Sequence, residues 1–232
     1  MDPSSGAAWS ALGLIVVANL LLSGDNAVVI AMAARSLPPP QRRLATWWGS
    51  AAAIVLRIAL TIVAVQALQL PYLKIAGALA LLWVGVRLLA EVEGEEEVKA
   101  EVTLFAAIRT IFVADLVMSV DNVIAVAGAA DGAPEDYRVL LLIVGLATSI
   151  PLIVAGSTLL MKLMDRLPLI TTLGAALLGS LAGQMFVTDP AVAGWFAVHV
   201  PVAGFAFGAG GAVVVVVVGK WLHLRARRMK AG

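Results

Sequence analysis

Leu22-Ser23-Gly24-Asp25-Asn26-Ala27-Val28-Val29 lies inside an apolar stretch, and the chain repeats it 96 residues later as Met118-Ser119-Val120-Asp121-Asn122-Val123-Ile124-Ala125. A carboxylate placed in hydrocarbon costs several kcal/mol unless it is paired, solvated or metal-bound, so each aspartate marks a candidate functional position. Two of them, each in a Ser-x-Asp-Asn setting, predict one site built from two related halves.

The surroundings of both copies fix the class of protein. The chain has 232 residues, 61% of them apolar and 13% charged, against about 25% charged in ordinary soluble domains. Mean hydropathy is +0.98. That balance excludes a soluble enzyme and predicts an all-α polytopic membrane protein. The apolar runs are continuous, whereas strands of a membrane barrel alternate in segments of about ten residues. With no cysteine there is no disulfide framework, thiolate metal site or thiol redox chemistry. Residues 1–8 carry no basic group and precede a long apolar run, so the first span is expected to be retained rather than cleaved as a signal peptide.

A helix crosses the hydrocarbon core with about 20 apolar residues. Seven segments qualify: 9–34, 45–68, 73–90, 104–130, 137–160, 168–187 and 201–219. The connections carry turn chemistry, as in Pro38-Pro39-Pro40, Leu70-Pro71, Leu167-Pro168 and Asp189-Pro190. The basic residues then give an orientation. With the N-terminus outside, thirteen fall on the cytoplasmic side: Arg35, Arg42, Arg43, Arg87, Lys99, Arg109, Lys162, Arg166, Lys220, Arg225, Arg227, Arg228 and Lys230. Lys74 and Arg138 fall outside, and Arg57 lies within a span. The excess predicts an N-out, C-in topology.

The likeness between residues 9–90 and 104–187 extends past the motif. Asn19 aligns with Asp115, Gly49 with Gly145, Leu70-Pro71 with Leu167-Pro168, and Ile75-Ala76-Gly77-Ala78 with Thr172-Leu173-Gly174-Ala175. Each unit has three spans, an odd number, so the second unit enters the membrane inverted. Such repeats recur among transporters, with substrate sites near the midplane on interrupted helices. Ser23-Gly24 predicts a break in span 1, whereas Val120 replaces the glycine in span 4. The chain thus divides into repeat 1 (9–90), an acidic cytoplasmic loop (91–103), inverted repeat 2 (104–187), a seventh helix (201–219) and a basic tail (220–232). In the seventh helix, Gly204-x-x-x-Gly208 and the small residues through Ala212 predict close helix packing rather than transport.

Ser-Gly-Asp-Asn-Ala and Ser-Val-Asp-Asn-Val in the first and fourth of seven spans resemble the TerC family of integral membrane proteins. The family is named for tellurium resistance, and several bacterial members are implicated in manganese export. The resemblance covers spans 1–6. It implies an exporter in the bacterial cytoplasmic (inner) membrane, with a site at Asp25, Asn26, Asp121 and Asn122 and with Asn19 and Asp115 as companions.

The chemistry of the intramembrane polar groups points the same way. Asn19, Ser23, Asp25, Asn26, Arg57, Asp115, Ser119, Asp121, Asn122 and Gln184 offer only oxygen donors as metal ligands. His199, at the outer end of span 7, and His223, in the tail, lie outside the spans. Oxygen donors suit Mg, Ca and Mn and are poor for Zn or Cu. Three aspartates and one arginine, all ionised and converging, sum to minus two, the charge that one divalent cation neutralises. On a straight helix Asp115 and Asn122 share a face, with Asp121 about 120° away. Either span 4 unwinds near Ser119-Val120, or Asp115 serves an access path or a proton relay. Arg57 is expected to compensate an aspartate, and Ser23 and Ser119 support the site or bind helices together. Pro151 is expected to kink span 5. The acidic run Glu91, Glu93, Glu95, Glu96, Glu97 and Glu101 reads as a solvated linker, and the basic tail as an anchor to anionic lipid.

The expected function is export of a divalent cation, Mn²⁺ foremost, by alternating access, with no resident cofactor. The expected partners are that cation and membrane lipid, with no nucleic acid. Two other classes fit the polar set. One is an amino-acid exporter using Arg57 and Asp121 for the two charges of its substrate. The other is a non-transporting membrane partner in metal loading or tellurite resistance. An enzyme is the weakest option, since no nucleophile–base arrangement or cofactor motif is present.

Overall fold

A computed structural model describes residues 6–21, 23–67, 70–93, 103–130, 137–148 and 150–231. Within these, the side chains of residues 6–8, 19–21, 61–67, 91–93, 120–130, 138, 226–227 and 229–231 lie outside the description. The described chain is helical, with no strand. Its elements are α1 (Gly6–Leu21), α2 (Gly24–Arg35), α3 (Pro39–Ala67), α4 (Leu73–Glu93) and α5 (Leu104–Ala130), followed by α6 (Arg138–Thr148), α7 (Ile150–Arg166), α8 (Pro168–Val187), α9 (Ala193–His199) and α10 (Ala203–Ala231). Four stretches, Leu73–Ala90, Val139–Arg166, Pro168–Val187 and Ala203–Arg225, are long and apolar enough to cross a membrane. The chain is an all-α polytopic membrane protein.

The helices occupy the apolar segments and begin where proline chemistry starts them. Pro39 opens α3 and Pro168 opens α8 after an extended Leu167, positions where a missing N–H costs nothing. Pro151 lies within the long apolar stretch Val139–Arg166, near residue 149, which falls outside the described residues. The short α9 was not marked as an element in the sequence; it includes His199, which lies before α10 and outside the seventh span, as expected from the sequence.

Packing sorts the helices into two groups. In the first, α8 lies against α10 and α4, and α4 against α10. In the second, α3 packs on α5, α2 on α7, and α1 on α6 and α5. The second group contains both copies of the Asp-Asn motif. Contacts between α8 and α10 run through backbone: a Cβ on Gly179 would strike the main chain of Gly211, and one on Gly183 that of Phe207. Small residues permit this approach between membrane helices. Of the small residues from Gly204 through Ala212 to which the sequence pointed, Gly208 and Gly211 meet α8, whereas nothing lies within 4 Å of a Cβ at Gly204.

The two halves are related in their packing. A Cβ on Gly49 would come 2.7 Å from Cδ1 of Ile111, and one on Gly145 would come 2.5 Å from Cγ2 of Ile15. Adding 96 to Ile15 and Gly49 gives Ile111 and Gly145, so one shift in numbering exchanges the two contacts. Ile15 and Ile111 are both buried, in a core shared with Met32, Leu81, Leu146, Met164 and Leu178.

Candidate cation site

The first span is interrupted at its motif. α1 ends at Leu21 and α2 starts at Gly24, with Ser23 outside both helices. Asp25 therefore stands in the first turn of a helix, where unpaired backbone N–H groups and the helix dipole favour negative charge. Its Oδ1 accepts the backbone N–H of Asn26 at 2.7 Å. Ser23 and Asn26 are buried, and Asp25 is half-buried.

The fourth span behaves differently. α5 runs unbroken from Leu104 to Ala130, through Ser119, Val120 and Asp121. With Val120 in place of a glycine, it stays helical through the motif, so the helical register separates positions 115 and 121 by about 120°. Asp115 belongs to a buried triad with Arg57 of α3. Arg57 Nη2 donates to Asp115 Oδ1 at 2.7 Å, and Ser119 Oγ donates to Asp115 Oδ2 at 3.0 Å. Arg57 Nε also donates to Ser119 Oγ at 3.3 Å. Arg57 is 1% exposed, Asp115 4% and Ser119 0%, so the pair is sealed from solvent. A buried ion pair is tolerated when further hydrogen bonds satisfy its remaining atoms, and Ser119 supplies them. Both oxygens of Asp115 are thereby engaged within the protein, which sets it apart from a free metal ligand.

Asp25 is near this triad, close enough for Arg57 and Asp115 to act on it electrostatically. The structure thus gathers Ser23, Asp25, Asn26, Arg57, Asp115 and Ser119 into helices of the second packing group. Asn19 lies in α1, and Asp121 and Asn122 lie in α5; their side chains fall outside the described residues. Among the described residues no three carboxylate or imidazole groups converge in a metal-binding cluster. Gln184 is exposed on α8, of the first packing group, and donates to Ser180 Oγ at 3.2 Å.

Two aspartates that the sequence passes over as loop residues have defined work. Asp165, at the end of α7, accepts from Arg35 Nε at 2.9 Å and from Arg42 Nη1 at 3.3 Å. Asp189, buried after α8, accepts the backbone N–H groups of Tyr72 (2.9 Å), Ile75 (3.1 Å) and Ala191 (2.8 Å). It thus caps the start of α4 from a distant part of the chain. Burial opposes ionisation of Asp189, but these N–H groups, with that of Lys74, outweigh it and hold its carboxyl below the ordinary range. Tyr72 adopts a left-handed backbone (φ 68°) at this turn, a conformation that costs energy in a non-glycine residue.

Residues 4–228 match the integral membrane protein TerC family. The chain is 43% identical over 186 residues to an uncharacterised membrane protein, YjbE, of Bacillus subtilis (strain 168), covering 80% of this chain and 83% of that relative. No solved structure matches it. The chain belongs to the TerC family of integral membrane proteins.

Proposed function

We propose that this protein exports a divalent cation, Mn²⁺ foremost, through a site formed by Asp25, Asn26, Asp121 and Asn122. The observation that carries the reading is the interruption of the first span at its Asp-Asn motif, with Asp25 at a helix start beside a sealed ion pair. Transporters place substrate and coupling-ion sites at interrupted helices near the midplane, and Asp25 supplies an anionic oxygen at such an interruption. With Asp115 neutralised by Arg57, the charge left for substrate is that of Asp25 and Asp121. One divalent cation balances it, and oxygen donors favour Mn²⁺, Mg²⁺ or Ca²⁺.

The amino-acid reading asks Arg57 to receive a substrate carboxylate. Arg57 already bonds Asp115 and Ser119, so the cation reading takes precedence. Ser23, Ser119 and the Arg57–Asp115 pair support the site, with Asn19 as a companion.

In this reading repeat 1 spans 9–90 and repeat 2 spans 104–187, with the N-terminus outside the bacterial inner membrane. The parts that move are the two packing groups, each of which draws helices from both repeats. Lipid contacts the outer faces, and Arg87 over Trp83 and Arg225 over Trp221, each 5.4 Å to the ring centroid, suit the membrane–water boundary. Moving two charges outward against an inside-negative potential costs about 4.6 kcal/mol per 100 mV. Export then runs down a cytosolic excess or exchanges with inward protons, which carboxylates released from metal can carry.

The test is Mn²⁺ flux in proteoliposomes, competed by Mg²⁺, Ca²⁺ and lysine. Flux that disappears in Asp25→Asn and in Asp121→Asn and is competed by metals supports the reading. Flux of lysine that ignores Mn²⁺ transfers the site to the amino-acid class.

A further inference from the structure

α2 carries Asp25 in its first turn and Arg35 as its last residue. The ten residue steps between them span about 15 Å of rigid helix. At the Arg35 end the helix is fastened by polar contacts to two other elements, α7 and α8, and through Asp165 to a third, α3. Arg35 Nε donates to Asp165 of α7 at 2.9 Å, and Arg35 Nη1 donates to Thr171 of α8 at 2.6 Å. Asp165 also accepts from Arg42 of α3, whose Nε donates to the carbonyl of Leu37 at 2.8 Å. The bond to Thr171 joins the two packing groups.

These contacts differ in kind from the sealed Arg57–Asp115 pair. The Asp165 side chain is 43% exposed, Arg42 31% and Arg35 18%, so water and salt reach the cluster and it breaks at little cost. Where α2 crosses α8, Val28 and Met32 pack against Gly174, so the contact there is apolar. A displacement of α2 along α8 meets the Arg35 cluster as its main polar restraint among the contacts described above.

We infer that Arg35 and Asp165 are positioning residues that form a latch, with α2 as the lever connecting it to Asp25. Closed, the latch holds the C-terminal end of α2 against α7 and α8 and shuts the path to Asp25 from that side of the molecule. Release lets α2 shift on α8 and opens that path. The function assigned to the latch rests on Asp25 belonging to the transported-ion site.

The chain has no cysteine, so a single reporter can be introduced without removing native thiols. Ala27→Cys places it two residues beyond Asp25, at a position 7% exposed. The readout is its labelling rate by a membrane-impermeant thiol reagent applied from the side that carries Arg35. Asp165→Asn is expected to raise the rate about two- to fivefold, the population change that a surface ion pair supplies. Asp165→Glu, which keeps the charge, is expected to label at the rate of the Ala27→Cys parent. Raising salt on that side is expected to accelerate labelling of the parent itself, with no latch residue altered. Equal rates for Asp165→Asn and Asp165→Glu, or no response to salt, would overturn the latch. Mn²⁺ flux is measured separately on the same variants. Labelling that follows the predicted order without any Mn²⁺ flux retains the latch and removes the cation assignment.

Discussion

The two halves of the molecule agree in their apolar contacts and disagree in their charges. Gly49 receives Ile111, and 96 residues away in both partners Gly145 receives Ile15. The same shift carries Ser119 to Ser23 and Asp121 to Asp25, yet it carries Asp115 to Asn19 and sets buried Ile153 against Arg57. One half thus holds an ion pair where its counterpart has an amide and a hydrocarbon side chain. The helices differ too: glycine at 24 coincides with a break, valine at 120 with a continuous turn. The lesson is that packing tolerates little change in shape, so the frame stays duplicated. Polar groups need only a local partner and can diverge in pairs.

The largest expected effect comes from unbalancing the pair. Arg57→Met strands the Asp115 carboxylate and should cost about 3–5 kcal/mol, whereas Ile153→Val at the counterpart position should cost about 0.5–1.5 kcal/mol. Unfolding in detergent measures both, and similar costs would mean that the halves do not differ as described. Replacing the pair together, Arg57→Ile with Asp115→Asn, copies the counterpart residues and should recover most of the loss.

The duplicated frame predicts the opposite pattern. Gly49→Val and Gly145→Val each overfill a contact with isoleucine and should each cost about 1–3 kcal/mol, by similar amounts. A severe loss in one and none in the other would break the equivalence of the two contacts.

The smallest effect lies outside the spans, at Asp189. Its carboxyl ionises more readily in the folded protein than in the unfolded chain, so its stabilisation is complete above the ordinary carboxylate range. It is lost as pH falls through the lower folded value. Asp189→Asn should reduce the melting temperature by about 2–4 °C at pH 7, and the difference from the wild type should begin to narrow below about pH 4 and close as pH falls through the lower folded value. A gap independent of pH would assign the effect to shape rather than charge.

Much of this was legible in the sequence because the signals are local. Long apolar runs announce membrane helices. Gly24 announced the break in span 1, and its absence at Val120 left span 4 open to either reading. What the sequence withheld is partner choice. Arg57 and Asp115 are 58 residues apart, and nothing local says that Asp115 gives both oxygens to Arg57 and Ser119. Asp165 and Asp189 look like ordinary turn residues, although one joins three elements and the other caps a helix 114 residues distant at Ile75. The glycines of α8 announce close packing without naming the helix that approaches them. α9 has only seven residues, too few to leave a periodic signal.

The central claim is that the duplicated aspartates, and not the Arg57–Asp115 pair, hold the cation. Mn²⁺ binding to purified protein tests it most directly, comparing the wild type with Asp25→Asn, Asp121→Asn and the paired Arg57→Ile/Asp115→Asn variant. The account predicts that binding disappears in each single variant and persists in the paired one. Binding that survives both single replacements, or that vanishes only with the ion pair, would contradict it.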